Sequence, residues 1–199
     1  MPNECTNPPR PMLATGVVIA ATALTHWLVM MAVHEGGHAI GARLTGGHIT
    51  RVVLTPLALS RTDVSPNPAP LTVAWCGPLI GALAPAAVCA LLALAQRNPG
   101  RWLRAFAGFC LVVNGLYLAS GAVAPAGDTQ DLLQLGSPPA LLAAAGLPLA
   151  AAGLWMWHRL GPLWGIAGAP AADLRRWGWM SVGALCAVAG AMLAVSAAQ

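Results

Sequence analysis

Five long apolar runs, almost free of charged side chains, restrict the fold of this chain more than any other feature. They lie at about residues 12–33, 70–95, 102–124, 139–158 and 177–197. Each is close to or above the ~20 residues that a helix needs to cross the hydrocarbon core of a bilayer. Only 8% of the 199 residues are charged, whereas an ordinary soluble domain has about 25%. We therefore predict an all-α integral membrane protein with about five transmembrane helices, since lipid leaves an open sheet without hydrogen-bonding partners.

The first apolar run follows a polar, proline-rich segment, residues 1–11, which we predict to be a disordered tail. A cleaved signal peptide is the alternative, because Arg10 precedes the run. Residues 12–33 are longer than the usual signal-peptide core of ~7–15 residues and match a membrane span. We predict a retained helix that continues to about Leu44.

The segment at residues 48–60 differs from the apolar runs around it. It is rich in β-branched residues, partly alternates in polarity and contains Pro56. This pattern favours a short β-hairpin-like segment at the membrane edge, with an exposed edge that could pair with an extended peptide. An ordinary connecting loop is the alternative that these residues leave open.

A group of ionisable residues, MAVHEGGHAI at 31–40, continues the first apolar run. His34 and His38 are four residues apart, which on a helix places both imidazoles on one face. Glu35 is rotated by about 100° from His34, so it can reach a water beside a metal without ligating the metal. The pattern H-E-x-x-H on a helix predicts a zinc hydrolase, with Zn²⁺ as cofactor and Glu35 as general base. The alternative is a polar helix end at the membrane surface, which would not explain why three costly ionisable residues cluster.

Two aspartates are the best candidates for the third ligand that a catalytic zinc usually has. Asp128 and Asp131 follow the third apolar run, and no basic residue between Arg104 and Arg159 balances them. A bound cation would explain such carboxylates at a membrane edge. Because the third run lies two spans after the first, Asp128 is also predicted to emerge on the membrane side where the histidine helix ends. Asp128 is the predicted ligand, and Asp131 is the alternative.

His26, His158 and the cysteines are predicted to be structural. His26 is two turns before His34 and off its face, and His158 flanks a span. His48, in the segment after the first helix, is a possible ligand that nothing else in the sequence supports. Four of the five cysteines lie inside apolar runs without a CxxC pattern, which is typical of small buried side chains.

Together these patterns resemble the site-2 protease class of intramembrane zinc metalloproteases, particularly its small bacterial members. The stretch HEGGHAIGARLTGG at 34–47 is similar to the metal-binding helix of that class. The segment at 48–60 is similar to the edge strand that follows this helix, and WCGPLIG at 75–81 to a Gly-Pro turn in the next core helix. The resemblance covers about residues 12–135.

The resemblance implies that a later aspartate, preceded by an asparagine, completes the metal site. Asp128 and Asn114 fill these places in order. Asn114 would then bind the substrate backbone, and the alternative is an interhelical hydrogen bond. The chain departs from the family at Gly127, which precedes the aspartate instead of following it, and in the wider separation from Asn114. Asp131 therefore remains open as the ligand.

The predicted organisation is a metalloprotease core at 12–135, with three spans and the hairpin, followed by two additional transmembrane helices at 136–199. The resemblance implies hydrolysis of peptide bonds in membrane-embedded or membrane-proximal substrates, in the bacterial inner membrane. The predicted partners are the lipid bilayer and a membrane-protein or peptide substrate.

Other classes of function remain as alternatives. One is a membrane zinc peptidase that acts on soluble or lipidated peptides, and another is a non-catalytic metal-binding membrane protein. A transporter is disfavoured because the second, fourth and fifth runs contain almost no ionisable residues. Nucleic acid is not a predicted partner, because the arginines flank apolar runs and form no basic patch.

Overall fold

Eight elements form the part of the chain that the computed structural model describes, which is residues 12–56, 60–161, 166 and 169–197. In chain order they are α1 (Met12–Leu44), β1 (Ile49–Val53), β2 (Arg61–Val64), α2 (Pro70–Leu94), α3 (Gly100–Gly121), α4 (Asp128–Gln134), α5 (Pro139–His158) and α6 (Ala171–Ala197). The predicted tail, residues 1–11, lies outside the described residues.

Five of these helices are long and apolar enough to cross a membrane, namely α1, α2, α3, α5 and α6. For the described residues, the prediction of a mostly helical chain with five helices of membrane-spanning length is therefore confirmed. The bounds agree with the apolar runs to within a few residues, with two exceptions. Helix α1 continues past the first run to Leu44, as predicted, and α6 begins at Ala171 and not near residue 177. The short helix α4, of 7 residues, was not predicted.

Helices α1, α2 and α3 pack side by side, with α2 between the other two. Glycines permit the closest approaches. A Cβ added to Gly37 would overlap the backbone of Cys76 on α2, and one added to Gly115 would overlap the backbone of Ala150 on α5. Helix α5 packs against α3, and α6 packs against α1. The two C-terminal helices therefore contact different helices of the α1–α3 core.

The antiparallel hairpin of β1 and β2 follows α1 directly. Val52 lies opposite Thr62 and Val53 opposite Arg61, which confirms the predicted hairpin. Its predicted range, 48–60, is wrong for the second strand, which lies at 61–64; residues 57–59 lie outside the described part of the chain.

The second strand was missed because its first three residues, Arg61, Thr62 and Asp63, are all polar and show no alternation. In the strand, Arg61 and Asp63 form an ion pair of 3.3 Å with both side chains largely exposed. The side chain of Thr62, between them, contacts α1. Successive strand residues point to opposite faces, so a polar sequence can still have one inward-facing side.

Helix α2 runs without a break through the segment that was compared with a Gly-Pro turn. Pro78 and Pro85 both lie inside the helix, and Gly77 and Pro78 are buried. Packed neighbouring helices let membrane proteins tolerate proline inside a helix. Gly77 therefore serves close helix packing here, and no turn forms at this position.

Candidate metal centre

Three predicted ligands converge in the structure although they come from two distant parts of the chain. The Nε2 atom of His34 lies 2.8 Å from Oδ2 of Asp128 and 3.2 Å from Nε2 of His38. The Nε2 atom of His38 lies 3.3 Å from the same carboxylate oxygen. Among the described residues, His34, His38 and Asp128 form a group that could hold a metal ion.

The hydrogen bonds of the two imidazoles determine which nitrogen of each ring faces this group. Nδ1–H of His38 donates to the backbone carbonyl of Val73 at 2.8 Å. Nδ1–H of His34 donates to Oδ1 of Asn114, also at 2.8 Å. The amide orientation of Asn114 follows from its other end, where Nδ2 donates to the carbonyl of Cys110. Each Nε2 is therefore left with its lone pair directed at the group.

The chemistry of these three atoms fits a cation. Two imidazole lone pairs and a carboxylate oxygen meet at 2.8 to 3.3 Å, and a single shared proton cannot satisfy all three contacts. Tetrahedral zinc with bonds of about 2.0–2.1 Å holds its ligand atoms about 3.3 Å apart. The observed triangle is thus close to one face of such a tetrahedron, and the orienting bonds at Nδ1 are those typical of metal-bound histidines.

Asp128 is presented to the group by a turn between α3 and α4. Gly127 has φ of 54°, a left-handed conformation that glycine adopts without strain. The Tyr117 hydroxyl donates to the carbonyl of Ala126 at 2.9 Å, and the Thr129 hydroxyl accepts from the Ala126 amide at 3.0 Å. These bonds fix the backbone on both sides of Gly127, so the position of Asp128 is determined before any ion binds.

The charge state of Asp128 also suits a ligand. Burial raises the pKa of its carboxyl, but the adjacent imidazoles of His34 and His38 outweigh burial and hold that pKa below the ordinary value of an aspartate. The carboxyl is therefore ionised near neutral pH, which is the form that binds a metal.

The other candidates lie elsewhere. Asp131 is exposed at the rim of the cavity beside the site and does not belong to the group. His26 is buried against the rings of Phe106 and Phe109, at 5.3 and 5.7 Å between centroids. His48 and His158 are exposed outside the group, so the structure brings together His34, His38 and Asp128 alone of the predicted ligands it describes.

Glu35, the predicted base, is 3% exposed. Its carboxylate oxygen Oε2 accepts a hydrogen bond of 2.7 Å from the hydroxyl of Thr62 on β2. Glu35 and the three candidate ligands line the same cavity. The Glu35 carboxylate is therefore held between α1 and the hairpin.

Two glycines of α2 provide room for the site. A Cβ on Gly77 would overlap the imidazole of His38, and one on Gly81 would press on the amide of Asn114. Both glycines lie on the face of α2 that meets these side chains. Because they have no Cβ, α2 can approach the candidate ligands and their partners closely.

A cavity of about 1360 Å³ opens beside the candidate ligands. It is larger than the ~300–1,000 Å³ of ordinary ligand pockets. Part of its lining is apolar and includes Trp27, Met30 and Met31 of α1 and Leu116 of α3. Another part is polar and comes from the hairpin and α4, including Arg61, Thr62, Asp63, Asp128 and Asp131.

The depth of the site follows from helix geometry. Asn114, which contacts His34, lies about two turns (roughly 10 Å) before the end of α3. A helix of 22 residues such as α3 is about 33 Å long, close to the ~30 Å hydrocarbon thickness of a bilayer. The candidate site therefore lies about 10 Å along α3 from the helix end that leads to Asp128.

Comparison of the chain with family models, with curated proteins and with solved structures finds no match.

Three contacts of the site were not predicted from the sequence. The carbonyl of Val73 orients His38, Thr62 contacts Glu35, and Tyr117 supports the turn before Asp128. A backbone carbonyl has no sequence signature, and Thr62 lies outside the predicted hairpin segment, 48–60. Tyr117 did have a signal, because it is the single tyrosine of the chain and follows Asn114 by three residues, on the same helix face.

The hydrogen bond between Asn114 and His34 gives a first prediction. Asn114 is 2% exposed, and its two polar side-chain atoms are bonded to His34 and Cys110. We expect Asn114→Leu to weaken zinc binding by about 10–100-fold, as loss of an orienting partner does in known zinc sites. Competition with a chromophoric chelator measures this affinity.

Asn114→Asp is the matched control, since it keeps an acceptor for Nδ1–H of His34 and should retain most of the affinity. Equal zinc affinities of the leucine variant and the wild type would show that Asn114 does not support the ligand. The substrate contact predicted for Asn114 stays a prediction.

Proposed function

We propose that this protein is an intramembrane zinc metalloprotease that hydrolyses peptide bonds of membrane-embedded or membrane-proximal substrates. One observation carries the proposal: two oriented imidazoles, an ionised aspartate and a buried glutamate meet at the wall of a single large cavity. The resemblance of HEGGH and the elements after it to the site-2 protease class supports the same activity.

Zinc is the proposed metal, held by His34, His38 and Asp128. Two imidazoles and one carboxylate leave a fourth position for water or substrate, which distinguishes a catalytic zinc site from a structural one. When bound, zinc supplies Lewis-acid chemistry, lowering the pKa of a coordinated water from ~15.7 to ~7 and polarising a carbonyl.

The catalytic role of the chain's own residues falls mainly to Glu35. Adjacent in sequence to His34 and buried beside the ligands, it takes the proton of the attacking water and later delivers it to the leaving amine. The orienting bonds from Asn114 and Val73 keep both imidazoles in the tautomer that leaves Nε2 unprotonated.

The shape of the cavity supports a membrane-embedded or membrane-proximal substrate. Its lining combines apolar side chains of α1 and α3 with polar side chains of the hairpin, as a segment that passes from the membrane interior to its surface would require. By resemblance to small bacterial members of the class, we place the protein in the bacterial inner membrane.

A second candidate is a membrane zinc peptidase for soluble or lipidated peptides. The observation that favours it is the polar part of the cavity lining, in which Asp131 and the ion pair of Arg61 and Asp63 are exposed to solvent. Both candidates use the same metal site and the same base, and they differ in the substrate that enters.

Substrate profiling tests the proposal. The zinc-loaded protein in lipid vesicles would be offered single-span peptides, the same sequences without the apolar segment, and lipidated versions of those. We expect cleavage within or next to the apolar segment, located by mass spectrometry. Cleavage of the soluble or lipidated peptides alone would favour the second candidate, and intact substrates in every case would contradict both.

A further inference from the structure

The hairpin contacts the proposed catalytic base directly. The Thr62 hydroxyl donates to Oε2 of Glu35 at 2.7 Å and also lies 3.3 Å from the backbone oxygen of Glu35. A buried carboxylate requires hydrogen-bond partners, and Thr62 provides one from a different element. The orientation of the base therefore depends on where β2 lies.

The strand that carries Thr62 is fixed at several points. Thr62 pairs with Val52 of β1. The amide of Gly47, just before the hairpin, donates to the carbonyl of Ala42 at 2.7 Å. At the far end of β1, the hydroxyl of Ser196 on α6 donates to the carbonyl of Leu54 at 2.5 Å. Because both ends of β1 are tied to membrane helices, the Thr62 hydroxyl is held in place before a substrate enters.

A single hydrogen bond to one carboxylate oxygen has a definite consequence. It restricts rotation about the terminal bond of Glu35, so that Oε2 is engaged with the hairpin and Oε1 is the oxygen left for proton transfer. Without this bond the carboxylate would sample several rotations, and only some would face the attacking water. A misplacement of about 1 Å at a reacting group can reduce the rate about 100-fold.

We propose that Thr62 is a positioning residue that orients the Glu35 carboxylate from the hairpin. The inference rests on the proposed function, in which Glu35 is the general base. It extends the site beyond the metal helix and makes the hairpin part of the machinery that aligns the base. Thr62 itself does not touch the reacting atoms.

Kinetics of a membrane-spanning substrate provide the first test. Thr62→Val retains a β-branched side chain of similar volume but removes the hydroxyl, whereas Thr62→Ser retains the hydroxyl. We expect the valine variant to lose about 10–100-fold in kcat with little change in KM, with zinc content equal to the wild type. The serine variant should recover most of the rate.

A matched control is Thr25→Val. Thr25 is on the same helix as Glu35, away from the cavity that holds the site, and its hydroxyl bonds to the carbonyl of Ala21. Its kcat and KM should equal those of the wild type. Equal kcat for Thr62→Val and the wild type would overturn the proposal, and so would a serine variant as slow as the valine variant.

Infrared spectroscopy provides a readout that does not depend on activity. The chain has only six carboxylate side chains, so the difference between wild type and Glu35→Gln identifies the Glu35 band. Thr62→Val should shift that band and Thr25→Val should not; an unshifted band would overturn the proposal. A wild type inactive on every substrate would contradict the proposed function, whereas the band shift would still establish that Thr62 orients Glu35.

Discussion

Glu35→Gln is expected to abolish peptide hydrolysis while the protein keeps its metal. The amide cannot accept a proton, and loss of general acid–base catalysis typically costs 10²–10⁴-fold, so we expect a loss of about that size in kcat. The fold should be preserved, because the amide oxygen of glutamine can still accept the hydrogen bond of Thr62. Initial rates on a membrane-spanning substrate, together with zinc analysis of the same preparation, measure both effects.

The matched control is Glu4→Gln, at the other glutamate of the sequence, which should leave the rate unchanged. Equal rates for Glu35→Gln and the wild type would show that Glu35 is not the base. Loss of zinc in Glu35→Gln would show instead that the glutamate helps to hold the metal. Absence of hydrolysis in both the wild type and Glu35→Gln would instead fit a transporter or a non-catalytic metal-binding protein.

Asp128→Asn is expected to lose zinc, whereas Asp131→Asn is expected to retain it. The carboxylate of Asp128 lies 2.8 Å from Nε2 of His34, while Asp131 is exposed outside the ligand group. The loss should exceed the ~10–100-fold that removal of an orienting partner costs, because a ligand itself is removed. Zinc content after dialysis against a weak chelator compares the two variants.

The two aspartates are a fair pair for this comparison, since both lie on α4 and both changes remove one negative charge. Their exposures differ, and circular dichroism of each variant checks that the helices are retained. Retained zinc in Asp128→Asn together with lost zinc in Asp131→Asn would move the third ligand to Asp131. Loss in both variants would indicate a general effect of charge on this side of the protein.

The membrane-length helices could be predicted from sequence because the constraint is simple. Lipid offers no partner to a free backbone amide or carbonyl, so long apolar runs form helices, and their bounds follow from the runs. The hairpin was harder to predict, since its second strand, 61–64, begins with Arg61, Thr62 and Asp63. Polarity alone does not separate a loop from a strand with one exposed face.

In the candidate site, too, some residues could be predicted from the sequence and others could not. His34, Glu35 and His38 are related by local helix geometry, which a single sequence encodes. Asp128 could be reached by counting spans, because an even number of crossings returns the chain to the same side. The glycine that precedes this aspartate left Asp131 open, and the choice between them became possible only from the turn at Gly127.

The partners of the ligands depend on tertiary packing that no local pattern reports. Asn114 was predicted to contact substrate or to bridge helices, and in the structure its carbonyl oxygen bonds to His34 across α1 and α3. The choice of Val73 as partner of His38 depends on how closely α2 approaches α1. Gly77 permits that approach, and its role is visible only when the imidazole is placed against it.

The most direct test of zinc-dependent proteolysis is a zinc titration of the metal-free protein in vesicles that contain a single-span substrate. For a zinc metalloprotease with one metal site, we expect no cleavage without metal and a rate that rises with zinc and saturates at one equivalent per chain. The His34→Ala, His38→Ala double variant should remain inactive at every zinc concentration. Cleavage by the metal-free protein, or restoration of cleavage in the double variant, would contradict the proposed zinc-dependent activity of this site.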